Sequence, residues 1–243
     1  MNIAILGAGI IGVTTAYELA ADGHQVTVFE RHASVAEGAS FANAGVVAPG
    51  YVTPWAAPGM PAKVLGHLLA RHAPVRVRRP LAAADLAWMR QWRAACDPAT
   101  YAANRTRMLR LAFYSRHRLH EVAARMAYDF DRSSGYMVLL RGDRDRQMVQ
   151  PGLALLRELE VPFHEITADE ARQIEPALHP HTPLAGAVHL PQDEVGNCRQ
   201  FAVILRDAAE QLGARFVFNT AVSAVDTAQT ATLYIACETA PQR

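Results

Sequence analysis

Three glycines near the amino terminus have the spacing of a phosphate-binding loop. They occur in Gly7-Ala8-Gly9-Ile10-Ile11-Gly12, which has the pattern G-x-G-x-x-G. Gly7 allows a tight turn, Gly9 lets the backbone approach a pyrophosphate, and Gly12 lets a helix pack closely on a strand. Free N–H groups at the start of that helix would then face the phosphates. The run therefore predicts a dinucleotide-binding loop.

An acid and a neighbouring cation follow this loop. Glu30 comes about 20 residues after the glycines, which is the usual offset of an acid that binds ribose. Its carboxylate can accept hydrogen bonds from ribose hydroxyls and would repel a 2′-phosphate. Arg31 weakens that exclusion, because a guanidinium can accommodate a phosphate. Both residues are predicted to contact the nucleotide.

The elements that must position these residues follow from the hydrophobic pattern. Residues 3–6 predict a short buried strand, residues 13–21 a helix that stops at Asp22-Gly23, and residues 25–29 a second strand. Together they predict a βαβ unit. The alternative is a glycine-rich turn in an ordinary strand–helix unit. The order of strand, glycines, helix and acid favours nucleotide binding.

Composition limits the class of protein. The 243 residues, 51% of them apolar, suffice for one large domain or two smaller ones, and a formal charge of +1 gives no electrostatic case for nucleic acid. No apolar stretch is long enough to span a membrane, and the early glycine motif leaves no room for a signal peptide. We therefore expect a cytoplasmic protein. Its three cysteines lack CxxC spacing, so neither disulfides nor a metal site are predicted.

A stretch of small residues leads into a long irregular loop. Residues 38–47 include Ser40 and Asn43, which can cap a helix and bring the backbone close to a ligand; a plain loop is an equal alternative. Residues 48–61 contain four prolines and two glycines, which argue against regular structure. Long loops of this kind are usually functional, so we expect this one to contribute to a site.

The rest of the chain alternates helical and extended patterns. Residues 65–127 are helical in pattern, and the arginine-rich face of the helix that begins at Pro98 is predicted to be solvated. Pro151 is predicted to break a helix over 144–160. Thr167 and Glu170 form a capping-box pattern ahead of a helix at 168–174. The other predicted elements are strands at 135–140, 161–166, 186–190 and 215–218, and a helix at 199–212.

Four segments are typical of one protein family. They are the glycine motif with Glu30, residues 39–45 (Ala-Ser-Phe-Ala-Asn-Ala-Gly), residues 49–51 (Pro-Gly-Tyr) and residues 54–59 (Pro-Trp-Ala-Ala-Pro-Gly), the last being the most specific. With these segments the chain resembles the glycine oxidase/D-amino-acid oxidase family of FAD-dependent amine oxidoreductases, in particular its bacterial D-amino-acid dehydrogenases. The resemblance implies FAD as the cofactor.

The same resemblance assigns roles to residues of this chain. The glycines would line the FAD pyrophosphate, and Glu30 would hold the adenosine ribose. Ser40, Asn43 and Ala44 would approach the pyrophosphate and flavin, and the backbone of Val222 would pair with adenine. The residues expected to contact the cofactor are Gly7, Ala8, Gly9, Ile10, Ile11, Gly12, Glu30, Arg31, Ser40, Asn43, Ala44 and Val222. No catalytic side chain is assigned, because the cofactor carries the redox chemistry.

The resemblance also implies an architecture. It is an α/β fold, α+β overall, in which a Rossmann-like FAD-binding βαβ domain contains an inserted substrate domain of helices and strands. The expected segments are FAD-binding at 1–65, substrate layer at 66–190, return to the FAD-binding domain at 191–225 with an acidic turn at its start, and a divergent tail at 226–243. Relatives continue with a half that holds a carboxylate-binding arginine. We therefore expect a C-terminally truncated chain whose nucleotide sheet has an exposed edge.

The implied activity is oxidative deamination of D-amino acids to 2-oxo acids and ammonia. The implied partners are a small D-amino acid and an electron acceptor, either oxygen or a quinone-linked acceptor at the membrane surface, which would place the protein at the periphery of the inner membrane. Truncation would abolish turnover. Two alternatives stay open. A NAD-dependent dehydrogenase is allowed by Glu30 and the glycines, although residues 40–59 argue against it, and a non-catalytic nucleotide-binding fragment fits the shortened chain.

Overall fold

A computed structural model of the chain describes residues 1–68, 80–126, 129–226 and 232–236. These residues belong to two compact units. The first comprises Met1–Val47, Ala123–Gly135 and Glu194–Arg243, and the second comprises Ala48–Val122 and Tyr136–Asp193. Both contain helices and strands, so the predicted mixed α/β class is confirmed. The assignment of chain segments to an FAD-binding and a substrate domain stays a prediction.

Three parallel strands and a connecting helix carry the glycine motif in the first unit. β1 (Asn2–Leu6), β2 (Gln25–Phe29) and β7 (Arg215–Val217) lie side by side in that order. α1 (Ile10–Ala21) connects β1 to β2 and begins at Ile10 rather than at residue 13. The predicted βαβ unit is therefore confirmed.

α1 packs against α7 (Cys198–Gln211), the helix predicted at 199–212. Each helix presents one stripe of buried apolar residues, as expected of a helix that lies on a core. The buried residues are Val13, Ala16, Tyr17 and Ala20 on α1 and Phe201, Ala202, Leu205 and Ala209 on α7. Alanines on both stripes let the two helices approach closely.

β1 is less buried than its sequence predicts. Leu6 is 47% exposed and Ala4 is exposed, whereas Val26 and Val28 of β2 are buried. Among the described residues β1 forms the edge of the sheet, and only β2 pairs with it. The prediction of a buried first strand is therefore wrong, because every second residue of β1 is exposed, so one face of the strand is not covered by the described residues.

β8 (Ala221–Asp226) and β9 (Thr232–Ala236) form an antiparallel pair in the first unit. Val222 pairs with Ile235, and the register shifts between Val222 and Ala224. The described part of the tail at 226–243 thus contains a regular strand. The other tail residues, including Cys237, lie outside the described residues.

The second unit is organised around β6 (Gly186–Val195), most of which it contains. β4 (Ser133–Leu140) lies beside β6, and β5 (His164–Ile166) pairs antiparallel with residues 187–189 of β6. In the first unit, β3 (Val46–Val47) pairs with the last two residues of β6. The core of the second unit contains Leu140, Leu153, Leu156, Val161, Val188 and Leu190.

Helices supply the rest of the second unit. They are α2 (Met60–Leu68), α3 (Ala83–Ala95), α4 (Pro98–Arg125), α5 (Asp143–Glu158) and α6 (Ala168–Ile174). α4 begins at Pro98 as predicted, and α6 has the predicted extent. The capping box of α6 is also confirmed: Thr167 Oγ1 accepts from the Glu170 N–H, and the Glu170 carboxylate accepts from the Thr167 N–H over 2.7 Å. Part of the helical pattern predicted at 65–127 falls at 69–79, outside the described residues.

Two prolines lie within regular elements, contrary to prediction. α5 continues through Pro151 without a break. Leu153 and Leu156, which follow the proline on the same helix, are buried in the core. β6 continues through Pro191 to Val195, where a turn was expected. Pro191 lies between the residues of β6 that pair with β5 and those that pair with β3, so its missing N–H costs neither of these pairings a hydrogen bond.

The start of the long loop is fastened to β6. Pro49–Tyr51 form a short 3-10 helix, and the Gly50 N–H donates to Asp193 Oδ1 over 3.2 Å. Asp193 is buried and lies 3.7 Å from the Arg116 guanidinium. Tyr51 packs on Tyr136 with ring centroids 5.3 Å apart, and the Tyr136 pKa is raised first by burial and then by Tyr51 and Asp193. The loop therefore begins from a fixed position.

The arginine-rich face of α4 is only partly solvated. Arg107 and Arg110 are exposed as predicted, but Arg105 is buried and Arg116 reaches the carbonyl of Gln192 as well as Asp193. The prediction was wrong for these two because Arg105 and Arg116 share the helix face of the buried Leu109.

No helix in the described ranges combines the length and the apolar character needed to cross a membrane.

We predict that Glu170 makes the second unit sensitive to acid. The pKa of its carboxyl lies below the ordinary value of 4.5, chiefly because it accepts from the Thr167 N–H and also from the Thr167 hydroxyl. A lowered folded-state pKa contributes stability above the unfolded pKa, and that stability is lost as the pH falls through the folded pKa. Glu170→Gln should therefore lower the thermal unfolding temperature near pH 7 and change it less near pH 3.

The control is Glu158→Gln on α5, which replaces an exposed acid. Thermal unfolding followed by circular dichroism should show no comparable pH dependence for this variant. If Glu170→Gln destabilised the protein equally at both pH values, the carboxylate of Glu170 would not be the source of the effect.

Candidate nucleotide-binding site

The loop between β1 and α1 requires glycine at two of its three glycine positions. Gly7 has φ +94°, in the left-handed region that favours glycine. A Cβ on Gly12 would collide with the carbonyl oxygen of Gly7. A Cβ on Gly9 would approach only Ser40 Oγ, at 3.4 Å. The fold thus requires Gly7 and Gly12, whereas Gly9 leaves open space beside the loop.

The start of α1 is capped by a residue from a distant part of the chain. The Ile10 N–H donates a 3.0 Å hydrogen bond to Ser40 Oγ, because Gly9 at the N-cap has no side chain. The first turn has no acidic residue, and Ile11 is 77% exposed. The positive end of the helix dipole is therefore not neutralised within its own first turn, and it would stabilise a bound anion.

Glu30 is buried at the end of β2 and connects the glycine loop to the following segment. Its Oε2 accepts from the Ala8 N–H over 2.6 Å, and its Oε1 accepts from the His32 N–H over 2.9 Å. The Thr220 N–H donates to the Glu30 carbonyl over 2.8 Å. Arg31 is exposed, and its Nε donates to His32 Nε2. The acid is thus held rigidly next to the loop.

A cleft of about 340 Å³ lies within the first unit. Asn43, Ala44 and Gly45 line it together with residues 196–199 at the start of α7. Gly196 and Gly45 lie in contact: the Gly196 N–H donates to the Gly45 carbonyl over 2.8 Å, and a Cβ on Gly45 would collide with the Gly196 carbonyl. Asn43 and Ala44, two of the predicted site residues, therefore line this cleft. Its other side is formed by residues 196–199, which were not predicted to belong to a site.

Further cleft residues were missed by sequence analysis. Asn197 caps α7 by accepting from the Gln200 N–H over 3.1 Å, and its Nδ2 lies 3.3 Å from Asp131 Oδ2. The Arg199 guanidinium lies 4.3 Å from the ring centroid of Phe41, a cation–π contact. An asparagine just before an apolar-periodic helix is a capping signal that could have identified Asn197. The contact between Arg199 and Phe41 joins distant segments and has no local signal.

The structure brings several predicted site residues together. Residues 38–45 form no helix; Asn43 Oδ1 accepts from the Gly45 N–H over 2.8 Å, and Ser40 caps α1 instead of a helix of its own. Val222 lies on β8, two residues beyond Thr220, whose N–H binds Glu30. The roles of all these residues toward a cofactor stay predictions.

The donor set fits a dinucleotide. An open glycine loop, a helix start without an acidic residue in its first turn and a buried acid meet at one end of a parallel sheet, which is the arrangement that holds pyrophosphate and ribose in βαβ units. Within the described ranges, no group of three or more His, Cys, Asp or Glu side chains is placed to hold a metal ion.

Residues 2–240 match the sequence pattern of one protein family, the FAD dependent oxidoreductases of the DAO type. The chain belongs to this family. The cofactor of the family is FAD, which agrees with the dinucleotide fit of the glycine loop. The match continues past residue 225, where the sequence analysis placed the end of the resemblance, so that limit was too short.

Solved structures of the same fold cover nearly all of the chain. Glycine oxidase from Geobacillus kaustophilus is 22% identical with a TM-score of 0.62, and the alignment covers 96% of this chain and 50% of that one. Iminodiacetate oxidase from Chelativorans sp. BNC1 is 21% identical with a TM-score of 0.60 and coverages of 93% and 48%. L-alpha-glycerophosphate oxidase from Mycoplasma pneumoniae, solved with FAD bound, is 20% identical with a TM-score of 0.57 and coverages of 98% and 50%.

At these identities the likeness shows the fold alone. The chain spans about half the length of the solved structures it matches. The activity, substrate and partners of the whole protein are therefore matters for proposal.

We predict that Gly12→Ala destabilises the first unit. The new methyl group would collide with the Gly7 carbonyl, so the free energy of unfolding should fall by about 2 kcal/mol or more. The matched control is Gly66→Ala in α2, where a Cβ has nothing within 4 Å and should stabilise by up to about 1 kcal/mol. Urea unfolding measures both, and an unchanged stability of Gly12→Ala would contradict the described packing of α1 on β1.

Proposed function

We propose that the chain forms the FAD-binding part of an oxidoreductase that oxidatively deaminates D-amino acids. The observation that carries the proposal is the joint position of the glycine loop, the α1 start capped by Ser40 and the buried Glu30, in a chain of the FAD-dependent family. This set of groups would bind the cofactor of such an enzyme.

The pyrophosphate of FAD would lie against the glycine loop. Gly9 leaves the backbone open there, and the start of α1, where the positive end of the helix dipole lies, would face the phosphates. Ser40 contributes by holding Ile10 in place. The phosphate charge would be stabilised without a lysine or arginine in the loop itself.

The two ends of FAD would be held by different segments of the first unit. Glu30 would bind the adenosine ribose through the lone pairs that its two backbone donors leave free, with Arg31 exposed at its side. The Val222 backbone would bind adenine. Asn43 and Ala44 would lie toward the flavin, in the cleft that they line with the start of α7.

The residues of the chain contribute binding and orientation to the reaction. Bound FAD supplies the acceptor for the hydride that leaves the α-carbon of the amine. The resulting imino acid reacts with water to give a 2-oxo acid and ammonia. An amine that enters neutral needs no base, so no side chain of the chain is given an acid–base role. The final electron acceptor would be a quinone-linked acceptor at the membrane surface or oxygen.

The substrate class rests on two supports. Residues 54–59 resemble the corresponding run of the bacterial D-amino-acid dehydrogenases. The proteins of similar fold include a glycine oxidase, an iminodiacetate oxidase and an L-amino acid deaminase from Proteus vulgaris, whose names all denote amines that carry a carboxylate. A D-amino acid is an amine that carries a carboxylate, and it is also the substrate that the resemblance of residues 54–59 implies.

A second candidate function is FAD binding without turnover. It is favoured by the fact that all the predicted cofactor contacts lie in the first unit. The two candidates differ in one property, because only the enzyme transfers electrons from a substrate.

The test is the visible absorbance spectrum of the purified chain reconstituted with FAD, recorded anaerobically before and after addition of D-alanine. We expect a bound-flavin spectrum that is bleached by D-alanine and not by L-alanine. A yellow protein that D-alanine never bleaches would establish binding without turnover. A protein that retains no flavin after gel filtration would overturn both candidates.

We also predict that Gly9→Val separates cofactor binding from folding. The backbone of Gly9 is extended, with φ −69° and ψ 177°, and a Cβ there would meet only Ser40 Oγ, at 3.4 Å, so we expect the unfolding free energy to change by less than about 1 kcal/mol. The branched side chain would occupy the space for the pyrophosphate, so the Kd for FAD should rise at least about tenfold.

Titration of the flavin fluorescence measures this Kd. Gly38→Val is the control, because a Cβ on Gly38 has nothing within 4 Å and its residue lies outside the glycine motif. Equal FAD affinity of Gly9→Val and the unmodified chain would remove the glycine loop from the cofactor site.

A further inference from the structure

α3 is a helix of the second unit that presents large apolar side chains to solvent. Among the residues that the structure describes, none on α3 is buried; Trp92 and Ala95 are half-buried, and all the others are exposed. Leu86 is 56% exposed and Met89 is 40% exposed. A surface helix normally turns its apolar side chains toward a core. The exposed apolar residues of α3 therefore indicate a surface that a partner covers.

Two arginines share one face of α3 with these two apolar residues. Leu86, Met89, Arg90 and Arg93 are separated by three, four and seven positions, which places them on the same side of a helix. In the described part of the chain, neither arginine belongs to an ion pair. These four residues, here called the α3 face, combine aliphatic surface with positive charge.

An open depression of about 740 Å³ adjoins the α3 face. Arg90 and Arg93 line it together with residues 61–62 at the start of α2. Among the described residues of its lining, Asp97 alone is acidic, and its carboxylate already accepts from the Thr100 N–H over 3.0 Å and from the Thr100 hydroxyl. The depression thus offers two guanidinium groups to an anion that approaches from solvent.

The sequence around α3 is strongly basic. Residues 51–96 contain seven lysines and arginines and a single acid, Asp85, whereas the formal charge of the whole chain is only +1. The rest of the chain is therefore net acidic, and the positive charge is concentrated in this segment. Two copies of the α3 face would repel each other, which disfavours a second copy of this chain as the partner. The charge instead calls for an anionic partner.

We propose that the α3 face binds the surface of a membrane that contains anionic phospholipid. Leu86 and Met89 would enter the boundary between headgroups and acyl chains, while Arg90 and Arg93 would reach lipid phosphates. Nucleic acid fits this face less well, because contacts to phosphates alone would leave both apolar side chains in water. The inference goes beyond the proposed function, since no residue of the α3 face belongs to the predicted cofactor site.

The first experiment is co-sedimentation of the full chain with vesicles. One set of vesicles contains phosphatidylcholine and phosphatidylglycerol, and the other contains phosphatidylcholine alone. We expect the chain to sediment with the anionic vesicles and to bind the neutral ones at least about tenfold more weakly. Sodium chloride at about 1 M should release most of the bound chain, because it screens the arginines from the lipid phosphates.

A double variant tests the two arginines. Arg90→Gln combined with Arg93→Gln should weaken binding to the anionic vesicles at least about tenfold. The matched control is Arg141→Gln combined with Arg144→Gln, which removes the same charge from two exposed positions of the same unit, next to Asp143. The control should weaken binding by less than about twofold, because these arginines lie outside the α3 face.

A second double variant tests the apolar part of the face while keeping its charge. Leu86→Gln combined with Met89→Gln should also weaken vesicle binding at least about tenfold, because the apolar contact with the bilayer is lost. Met148→Gln, which changes an exposed methionine of α5, is the control. Since α3 buries none of the substituted side chains, circular dichroism should show an unchanged thermal unfolding temperature for both double variants.

Several results would overturn the proposal. They include no binding to the anionic vesicles and unchanged binding by either double variant. A duplex DNA that binds more tightly than the vesicles, and needs Arg90 and Arg93, would assign the face to nucleic acid instead. A dimer that forms with rising chain concentration and is lost in Leu86→Gln combined with Met89→Gln would assign it to a second copy.

The result is independent of the flavin test. Vesicle binding that needs the α3 face, in a chain whose flavin D-alanine never bleaches, would support the membrane surface and contradict the proposed turnover. A bleached flavin in a chain that binds no vesicles would support the turnover and contradict the membrane surface.

Discussion

The close approach of α1 to the end of β1 is the constraint on which the first unit depends. Gly12 allows it, since any side chain there would meet the carbonyl of Gly7. The tight turn leaves backbone N–H groups that the loop cannot satisfy locally, and a buried N–H without an acceptor costs about 1–3 kcal/mol. Ser40 and Glu30 accept from two of them, which ties two separate segments to the loop.

The same contacts explain how a binding site and a stable fold coexist. The backbone requires glycine at positions 7 and 12 but not at position 9. The missing side chain of Gly9 therefore leaves space for a ligand and is not needed for folding. The acid that is predicted to hold ribose is already oriented by two backbone donors. Such preorganisation reduces the conformational entropy that a ligand would otherwise have to overcome.

The second unit uses buried charge in two ways. Asp193 accepts from the Gly50 N–H and faces Arg116, so a paired charge fastens the long loop to β6. Gly50 is required there, because a Cβ would lie 2.5 Å from Leu190 Cδ2. Arg105, on the same helix, is also buried, and its Nε has no hydrogen-bond partner among the described residues.

The local elements of this protein could be predicted because their signals lie within a few residues of each other. The βαβ unit follows from apolar runs around the glycines, and the cap of α6 follows from Thr167 and Glu170. The prediction failed where a partner is distant in sequence. Pro151 did not break α5, because the packing of that helix in the core outweighs one lost hydrogen bond.

The sequence by itself determined the βαβ unit, the glycine loop and the acid that follows it, since periodicity and glycine spacing act locally. Only the tertiary structure decided that Ser40 caps α1, that Asn197 and Arg199 line a cleft with Asn43, and that Arg105 is buried. These arrangements join segments far apart in the chain. They depend on which helix face meets the core, and a polar side chain gives no local sign of that choice.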